Sequence, residues 1–523
     1  MLVITTPIPY TNSRPHLGHL LEAVFTDTLA RFYRTQEQKV KLTMGLDQHG
    51  LKIFEKAQEN GQQAQEFVDQ QSQNFKKLWQ QFGINWDTFV ETTSKSHKLT
   101  AQLVWKKLQQ QGLIYKKTYQ GLYCVGCEDF YAPSQLENGL CPIHKTKPVK
   151  TKEENYFFKL SQFKPQIQKY LKTAWIRPKH TTSEFLNFTE ELQDISISRE
   201  KTRLPWGIAI PSDQGQVMYV WFEALINYLT ACTDPADTQS LDNQKISLGE
   251  WENRAWKNIQ DSYPIDIMYL SKEVAKFHLV VWIGMLEGLG LPLPQKALTH
   301  GLINDKNGVK FSKSLNNGVF PEDLVSKVGY EGARFILLYQ INIDGDTNFD
   351  WNSAIDCYNS HLANNIGNLL IRTTNLIQRF LDGNLKYDQE SLQRSKDTVQ
   401  TFLQTISKDQ AKALDVHKKL DFDFKGIQKD MQALNTKMAL TKIIEASTLA
   451  NQLLEVTQPW TLFKNSKPSK SKEGEAVLIF LVYLLKNIGL NLKIFLPEAG
   501  QKILTAVDKP KILKAKPLFQ KVE

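Results

Sequence analysis

The first fifty residues alternate between β-strand and α-helix patterns. Residues 2–6 and 40–43 are short apolar, β-branched runs, and the second ends at Met44 and Gly45. Between them, apolar residues recur every three or four positions from 17 to 32, which is the period of an α-helix. Two strands joined by a helix form a βαβ unit with parallel neighbouring strands and a right-handed crossover. The pattern predicts an α/β fold built on a parallel sheet.

Open parallel sheets bind ligands beyond the carboxyl ends of their strands. In this chain those ends lead into residues 7–19 and 45–50. Neither segment has a G-x-G-x-x-G or Walker-type glycine loop, which argues against dinucleotide binding and P-loop chemistry. We therefore expect functional side chains in these two segments, in a chemistry that needs neither loop.

Downstream, the residue pattern changes twice. Residues 115–150 are rich in cysteine, glycine and proline, and strand-like runs return at 208–210, 217–221 and 265–270. From about residue 351 the apolar period is helical almost throughout. We expect helices over residues 360–382, 396–420, 427–456 and 475–493. The predicted architecture is a doubly wound, Rossmann-like parallel sheet with an insertion, followed by an α-helical bundle domain.

The composition excludes several classes of protein. Of 523 residues, 41% are hydrophobic and 23% are charged, which is typical of globular chains and excludes general disorder. Five cysteines are too few for a disulfide framework and fit a reducing compartment. No signal or transit peptide pattern is visible, and the longest apolar run, residues 476–485, is half of the ~20 residues that a membrane span needs. We expect a soluble, cytoplasmic protein without a membrane partner, whose net charge of +9 permits a polyanionic partner without requiring one.

Residues 9–19 leave the first predicted strand, turn through polar residues and enter a helix. His16 and His19 are three apart on the first turn of that helix, so both imidazoles lie on one face. Gly18 between them lets a ligand approach the backbone closely. A helix N-terminus with two donor rings suits an anionic phosphate. The alternative is a plain helix start with two surface histidines.

A second candidate site is the basic loop at residues 308–314. Lys310 and Lys313 bracket Phe311 and Ser312 after a glycine. Mobile ammonium groups can follow a polyphosphate as its charge develops. By itself, however, such a loop is more often an ordinary solvated turn.

The cysteines suggest a metal site. Three of the five lie within eighteen residues of one another, and with one histidine they form two pairs of C-x-x-C or C-x-x-H type: Cys124, Cys127, Cys141 and His144. This is zinc-knuckle spacing, and four protein ligands close a tetrahedron around the metal. The spacing predicts one structural Zn²⁺, and the alternative is a set of reduced core cysteines.

Taken together, the H-x-G-H and K-x-S-K-S segments resemble the two signatures of class I aminoacyl-tRNA synthetases. The chain is specifically similar to the methionyl-tRNA synthetases of bacteria and organelles. The motifs that carry this resemblance are PYTNSRPHLGH (9–19), DQHG (47–50), YCVGCEDFY (123–131), NYFFKL (155–160), DISISR (194–199), PWGI (205–208), YVWFEALINY (219–228), KFHLVVW (276–282), GNLLIR (367–372) and QPW (458–460). They cover nearly the whole chain and are jointly highly specific.

The resemblance implies a methionine–tRNA ligase, which activates L-methionine with ATP to methionyl-adenylate and transfers methionyl to the 3′ end of initiator and elongator tRNA(Met). The implied ATP-binding residues, whose histidines and lysines are also the implied catalytic residues, are His16, Gly18, His19, Lys310, Ser312 and Lys313. The implied methionine-binding residues are Pro9, Tyr10, Asp47, Trp221, Tyr228, Phe277 and His278. The implied anticodon-binding residues are Asn368, Arg372 and Trp460. Mg²⁺ would enter with ATP, and the zinc would be structural.

The residues themselves leave other interpretations open. Asp47 is equally placed to cap the helix that begins near Leu51, and buried aromatic residues usually belong to a core. In the helical part, the alternatives are a helix-capping Asn368, a salt-bridging Arg372 and a core Trp460.

The resemblance also implies a division into domains and an oligomeric state. The expected parts are the first half of the catalytic Rossmann-like domain (1–114), a connective-polypeptide insertion with the zinc knuckle (115–222), the second half of the catalytic domain (223–300), a stem-contact region with the KFSKS loop (301–350) and an α-helical anticodon-binding domain (351–523). No C-terminal oligonucleotide-binding module of the kind that some relatives use to dimerise is visible, so we expect a monomer.

The chain departs from the usual family motifs at a few positions. Glu223 replaces Asp in W-[FL]-D-A, Ser271 and Glu273 replace Gly and Asp, Phe311 replaces Met, and Asn316 stands where glycine is common. These departures motivate one alternative, a catalytically impaired tRNA-binding paralogue, which the intact HLGH and KFSKS motifs disfavour. Another is a class I synthetase for a different amino acid. The valine, leucine and isoleucine enzymes are disfavoured because no large editing insertion is present, and the cysteine enzyme because the four-ligand knuckle is closed.

Overall fold

The computed structural model describes residues 1–124, 129–131, 136–142, 145–311, 318–406, 410–464 and 471–523. The β-strands are β1 Leu2–Thr5, β2 Val40–Leu46, β3 Thr88–Glu91, β4 Ile114–Cys124, β5 Asp129–Tyr131, β6 Val149–Phe158, β7 Trp175–Arg177, β8 Ile195–Ser196, β9 Ser198–Glu200, β10 Ala209–Ile210, β11 Asp213–Met218, β12 Ile267–Ser271, β13 Lys296–His300, β14 Ile303–Asn304 and β15 Thr347–Asn348.

The α-helices are α1 Leu17–Thr35, α2 Leu51–Glu59, α3 Ala64–Gln81, α4 Lys95–Gln110, α5 Lys164–Thr173, α6 Lys179–Glu190, α7 Val220–Leu225, α8 Asn227–Thr230, α9 Pro235–Asp242, α10 Leu248–Ser262, α11 Lys272–Lys276, α12 Trp282–Leu289, α13 Pro321–Tyr339, α14 Trp351–Tyr358, α15 Asn368–Leu381, α16 Gln389–Thr405, α17 Gln410–Lys419, α18 Lys425–Gln432, α19 Thr436–Thr457, α20 Pro459–Lys464, α21 Lys472–Phe495 and α22 Pro497–Val507. A 3₁₀ turn covers Leu160–Phe163, and π-helical turns cover Phe277–Val281 and Asn359–Gly367.

The first compact unit comprises Met1–Pro15, Gln38–Gln80 and Asn85–Gly301. Its centre is a six-stranded sheet in the order β3-β2-β1-β12-β13-β7, in which all neighbouring strands are parallel. β1 and β2 are neighbours, with Leu2 opposite Val40. The predicted parallel pair is therefore confirmed, and so is the Rossmann-like fold class.

β2 extends further than the sequence pattern indicated. The expected end at Met44 and Gly45 is wrong, because the strand continues to Leu46. A Cβ on Gly45 would lie only 2.3 Å from the Val90 carbonyl oxygen. Glycine at this position lets β2 pair closely with β3 rather than ending the strand.

Two antiparallel sheets complete the first unit. One has the order β5-β4-β6-β8, and the other has the order β10-β11-β9. The strand expected over 217–221 is wrong in its second half, because β11 ends at Met218 and α7 begins at Val220. Trp221 therefore lies on a helix. The same helix has a buried carboxylate, Glu223.

The second compact unit comprises His16–Glu37, Gln81–Ile84 and Leu302–Glu523. It is largely helical, as expected, and also holds the short parallel pair β14–β15. The helix expected over 427–456 is two helices, α18 and α19. Leu434 between them has a left-handed backbone (φ 56°), and the Asn435 side chain caps α19 by accepting from the Met438 N–H. The helix expected over 396–420 is likewise divided, into α16 and α17.

One helix of the described residues, α21, is long and apolar enough to cross a membrane. Of its most apolar eighteen-residue stretch, 67% is buried inside the protein. A core helix of a helical domain can be as long and as apolar as a membrane-spanning helix. α21 packs as such a core helix against α16, α19 and α22.

Candidate functional site

Three adjacent parallel strands of the first unit end at the candidate pocket. β1 leads into Pro9 and Tyr10, β2 leads into Asp47, and β12 leads through α11 into Phe277 and His278. Because β2, β1 and β12 are consecutive in the sheet, their carboxyl ends lie side by side. This is where open parallel sheets bind ligands, and five of the implied methionine-binding residues follow these ends.

Asp47 is fixed by the backbone of the segment that follows β1. Its N–H donates to the Pro9 carbonyl oxygen at 2.8 Å, and its own carbonyl oxygen accepts from the Thr11 N–H at 3.0 Å. The residue is buried, with 7% of its surface exposed. The helix-cap alternative for Asp47 is wrong, because the N-cap of α2 is Gly50, at φ 112°, without a side-chain hydrogen bond.

The aromatic residues implied for the pocket form two pairs. The rings of Trp221 and Phe277 stack with centroids 4.0 Å apart and planes 5° apart. The Tyr228 hydroxyl lies 2.8 Å from His278 Nε2 and 3.3 Å from the Thr6 carbonyl oxygen at the end of β1. Stacked and edge-on rings of this kind suit a thioether, because a soft sulfur contacts aromatic rings favourably.

His278 is neutral at physiological pH. Burial lowers the pKa of its imidazole to about 4, although the hydrogen bond with the Val274 carbonyl oxygen by itself raises this pKa. Since Nδ1 lies 2.8 Å from that oxygen and must donate to it, Nε2 is the acceptor for the Tyr228 hydroxyl. The tautomer of His278 therefore sets the orientation of Tyr228.

Trp206, a residue without an assigned role in the sequence, holds the segment after Asp47. Tyr10 and Trp206 both pack against the small apolar cluster of α2 and α3. The Trp206 indole N–H donates to the Gln48 carbonyl oxygen at 2.6 Å, and its own carbonyl oxygen accepts from the Gly50 N–H at 3.1 Å. Trp206 of the PWGI motif thus binds the DQHG segment through two hydrogen bonds.

A buried charge network also contacts this segment. Glu223 is fully buried, and its two carboxylate oxygens lie 3.0 Å from His49 Nδ1 and 2.8 Å from His97 Nε2. In the sequence Glu223 stands out only as a departure from a motif, and His97 does not stand out at all. No local signal marks His97, because it is 126 residues from its carboxylate partner.

The H-x-G-H segment belongs to the second compact unit. His16 is the N-cap of α1, and its Nδ1 accepts from the N–H groups of Gly18 at 3.1 Å and His19 at 3.4 Å. Because Nδ1 accepts, the ring proton is on Nε2, which is the nitrogen able to donate to an anion. The rings of His16 and His19 stack with centroids 3.6 Å apart, so the structure brings the two histidines together.

Gly18 has a steric reason to be glycine. A Cβ at this position would lie 3.0 Å from Cε1 and 3.1 Å from Nδ1 of His16. Such contacts are tighter than normal, so a side chain here would displace the imidazole from its capping position.

The basic loop begins at a tight turn of the second unit. Asp305 accepts from the N–H groups of Asn307 and Val309 at 2.9 Å each, and Lys310 pairs with Asn304 across the turn. Lys310 is exposed. The other two implied ATP-binding residues of this loop, Ser312 and Lys313, lie outside the described residues.

Comparisons with known proteins identify the family of this chain. A family model described as class I tRNA synthetases (M) matches residues 2–145 and 127–374. The chain belongs to the class I methionyl-tRNA synthetase family.

Relatives of this family match almost the whole chain. It is 34% identical to the methionine–tRNA ligase of Caldanaerobacter subterraneus, over 96% of this chain and 73% of that protein. It is also 34% identical to the methionine–tRNA ligase of Campylobacter jejuni, over 97% of this chain and 75% of that protein. A solved structure of the Mycobacterium tuberculosis methionyl-tRNA synthetase in complex with methionyl-adenylate is similar with a TM-score of 0.81 and 29% identity, over 97% of this chain and 93% of the other.

The chain's departures from the methionyl-tRNA synthetase motifs have local explanations at two positions. Ser271 is the N-cap of α11, and its hydroxyl accepts from the Glu273 N–H at 3.4 Å. Glu273 is an exposed acidic residue in the first turn of that helix, where a negative charge is favourable. Phe311 is half-buried, and Asn316 lies outside the described residues.

Two of the four predicted zinc ligands can be described. Cys124 and Cys141 are buried, with 1% and 0% of their surfaces exposed, and neither is in a disulfide. Thr146 contacts both cysteines, because its hydroxyl lies 3.8 Å from Cys124 Sγ and its carbonyl oxygen accepts from the Cys141 N–H at 2.9 Å. Cys127 and His144 lie outside the described residues, and no complete metal-ligand cluster occurs within the remainder. Two buried thiols that both lie near Thr146 fit a zinc site.

The anticodon residues implied for a methionyl-tRNA synthetase lie on two neighbouring helices. α14, a π-helical turn and α15 form one continuous helix, so Asn368 does not cap a helix and is exposed. The hydrogen-bond partner of the half-buried Arg372 is the Asn451 side-chain oxygen at 3.4 Å, which is not a carboxylate.

Trp460 lies on α20 and is half-buried rather than part of the core. α20 contacts α15 through Phe463, which stacks on Phe380 with centroids 4.9 Å apart. The three alternatives of a capping Asn368, a salt-bridging Arg372 and a core Trp460 are therefore not supported in the described part of the chain.

Proposed function

We propose that this chain is a methionine–tRNA ligase that activates L-methionine with ATP and transfers the methionyl group to tRNA(Met). The observation that supports this best is the convergence of Asp47, the Trp221–Phe277 stack and the Tyr228–His278 pair beyond three adjacent parallel strands. An acidic residue beside paired aromatic rings is suited to an amino acid that has an ammonium group and a thioether.

Methionine recognition divides between these groups. The Asp47 carboxylate receives the substrate ammonium, with the backbone of Pro9 and Tyr10 holding its segment in place. The rings of Trp221 and Phe277 contact the thioether, and Tyr228, oriented by His278, lines the same pocket. A thioether has no strong hydrogen-bonding group, so discrimination against other amino acids rests on shape and polarisability.

Adenylate formation needs positioned charge rather than a side-chain nucleophile. A methionine carboxylate oxygen bonds to the α-phosphorus of ATP, the bond to the bridging oxygen breaks, and pyrophosphate leaves with that electron pair. His16 Nε2 and His19 hold the phosphates at the positive end of α1. Lys310 and Lys313 neutralise charge on the departing pyrophosphate, and Gly18 and Ser312 line the path of the phosphates. Mg²⁺ bound with ATP would supply further neutralisation of the phosphate charge.

Transfer completes the reaction. The terminal ribose 2′-hydroxyl of tRNA(Met), initiator or elongator, attacks the adenylate carbonyl carbon and displaces AMP, and the hydroxyl proton is released. Asn368 and Arg372 hydrogen-bond to base edges of the anticodon, while the Trp460 indole stacks on an unpaired base. The exposure of Asn368 and the amide partner of Arg372 support these assignments.

Cys124, Cys127, Cys141 and His144 would hold one structural Zn²⁺. The ion would stabilise the insertion by joining two segments that are separate in the sequence. We expect the enzyme to act as a cytoplasmic monomer.

The decisive experiment is ATP–pyrophosphate exchange with purified protein and each of the twenty amino acids, followed by aminoacylation of tRNA(Met). We expect exchange with methionine alone. Exchange with a different amino acid would contradict the pocket assignment. The absence of exchange with all twenty amino acids, in folded and zinc-loaded protein, would favour the catalytically impaired tRNA-binding paralogue.

A further inference from the structure

Glu223 is the most deeply buried acidic residue near the candidate pocket and has no role in the mechanism above. We propose that Glu223 is a positioning residue, which fixes the Asp47 segment against the Trp221 helix by binding His49 and His97 at once. This inference rests on the proposed function, because it concerns the site that binds methionine.

The hydrogen-bond chemistry gives the network one arrangement at the carboxylate. An ionised carboxylate only accepts hydrogen bonds, so His49 Nδ1 and His97 Nε2 must each carry a proton and donate. Burial opposes ionisation of Glu223, but the two histidines outweigh it, and the pKa of Glu223 is lowered. Charge-assisted hydrogen bonds of this kind are stronger than neutral ones. Both donors are therefore bound firmly to one rigid group.

The two ends of the network are adjacent to groups that contact substrate in the proposed mechanism. His49 is two residues after Asp47 and donates its N–H toward Asp47 Oδ1 at 3.5 Å. Glu223 is two residues after Trp221 on the short helix α7. A displacement of the carboxylate is thus transmitted through two residues on each side.

His97 anchors the network to a third element. It lies on the first turn of α4, and its Nδ1 is 2.9 Å from the Thr230 hydroxyl at the end of α8. His97 is fully buried, and its neighbour Lys98 is a further charge within the field of Glu223. The carboxylate therefore joins α4 and α7 to the segment that follows β2.

Side-chain length decides whether one carboxylate can bridge both rings. The 3.0 Å and 2.8 Å contacts to His49 and His97 are close to ideal for Glu223. Aspartate would withdraw the carboxylate by about one carbon–carbon bond, ~1.5 Å, so that at most one contact would survive without movement of the backbone. Glutamate at this position is matched to the observed spacing.

The test is Glu223→Asp, assayed by methionine-dependent pyrophosphate exchange and by calorimetric titration with methionine alone. We expect the KM and Kd for methionine to rise about tenfold, while the KM for ATP and kcat stay within about twofold, because only the methionine groups are displaced. The matched control is Glu252→Asp, which shortens a different carboxylate of the first unit. Glu252 is partly buried and pairs with Lys106 at 2.6 Å. We expect no change in either constant for the control.

A second pair of variants covers the case in which Glu223→Asp does not fold. His97→Gln keeps an N–H donor near the position of Nε2, whereas His97→Leu removes it. Positioning predicts that the glutamine variant stays within about threefold of the wild-type KM for methionine and that the leucine variant does not.

The outcomes separate this inference from the proposed function. An active wild type whose Glu223→Asp and His97→Leu variants lose thermal stability but keep the wild-type KM for methionine would overturn the positioning role alone. A wild type that binds methionine without exchange would refute the proposed activity, and the calorimetric Kd values would still decide the role of Glu223. A folded wild type that does not bind methionine would overturn both.

Discussion

Arg334 and Asp27 form a fully buried ion pair, with Nη2 2.8 Å from Oδ2 and no exposed surface on either side chain. The same guanidinium donates to the carbonyl oxygens of Phe495 at 2.7 Å and Phe82 at 3.1 Å. Asp27 lies on α1, the helix whose first turn has the H-x-G-H residues. One arginine therefore connects that helix to α13, to the end of α21 and to the 81–84 segment.

Removal of this arginine should loosen α1. Arg334→Met removes one ionic partner of the buried Asp27 and leaves its pair with Arg31, and breaking a buried pair costs about 3 kcal/mol or more. We expect a lower thermal midpoint and faster hydrogen exchange in α1 and α13, measured by mass spectrometry. The matched control is Lys502→Met, which breaks an exposed pair with Glu498 and should cost under about 1 kcal/mol. Equal exchange rates in the two variants would contradict the connecting role.

The capping role of His16 and its proposed role in phosphate binding can be separated by substitution. Asparagine keeps a side-chain acceptor for the N–H groups of Gly18 and His19 but lacks the Nε2 donor, whereas glutamine keeps a donor near Nε2 and loses the cap. His16→Asn should slow adenylate formation about 100-fold with little loss of stability. His16→Gln should cost about 1 kcal/mol of stability and less in rate. Single-turnover kinetics and thermal unfolding distinguish the two, and a fast His16→Asn enzyme would exclude a phosphate role for Nε2.

The lowered pKa of His278 makes stability depend on pH. Its pKa is about 4 in the folded protein and 6.5 without the protein environment. Between these values the unfolded chain binds the proton and the folded protein does not, so acidification from pH 6.5 towards pH 4 destabilises the fold, by at most about 3 kcal/mol. We expect His278→Gln to show a smaller fall in thermal midpoint from pH 7 to pH 5 than the wild type. The exposed His180→Gln variant should keep the wild-type dependence.

The zinc assignment predicts one ion per chain by metal analysis. Cys141→Ser should lose the ion, because a serine hydroxyl is not a thiolate ligand. Cys232→Ser, which changes a half-buried cysteine of the same compact unit outside the knuckle, should retain it. Zinc in both variants at equal stoichiometry would refute the site.

The anticodon assignment predicts an effect on tRNA alone. Arg372→Ala and Trp460→Ala should raise the KM for tRNA(Met) tenfold or more, since a stacked base is worth ~1–3 kcal/mol, and leave pyrophosphate exchange unchanged. Arg379→Ala removes an exposed arginine from the same helix, where it lies over Phe380, and should have little effect. A loss of exchange in the first two variants would instead indicate misfolding.

Local sequence patterns predict strands and helices well where the spacing of apolar residues stays constant over the whole element. The apolar runs of β1 and β2 and the helical period of α1 are examples, because each depends on neighbours within a few residues. Boundaries are predicted less well. The sequence pattern places a strand end at Gly45, yet this residue lies inside β2. Glycine is needed there because the backbone of Val90 on the neighbouring strand is so close.

The site divides in the same way. Strand and helix periods and short motifs are local properties, so the fold class, the family and the pairing of His16 with His19 can be predicted from the sequence. The meeting of His49, His97 and Glu223 is visible only in the folded chain, as are the hydrogen bond from Trp206 to Gln48 and the ion pair of Arg334 with Asp27. Those contacts join residues 126 to 307 positions apart, and they form only when the packed strands and helices bring separate segments of the chain to one place.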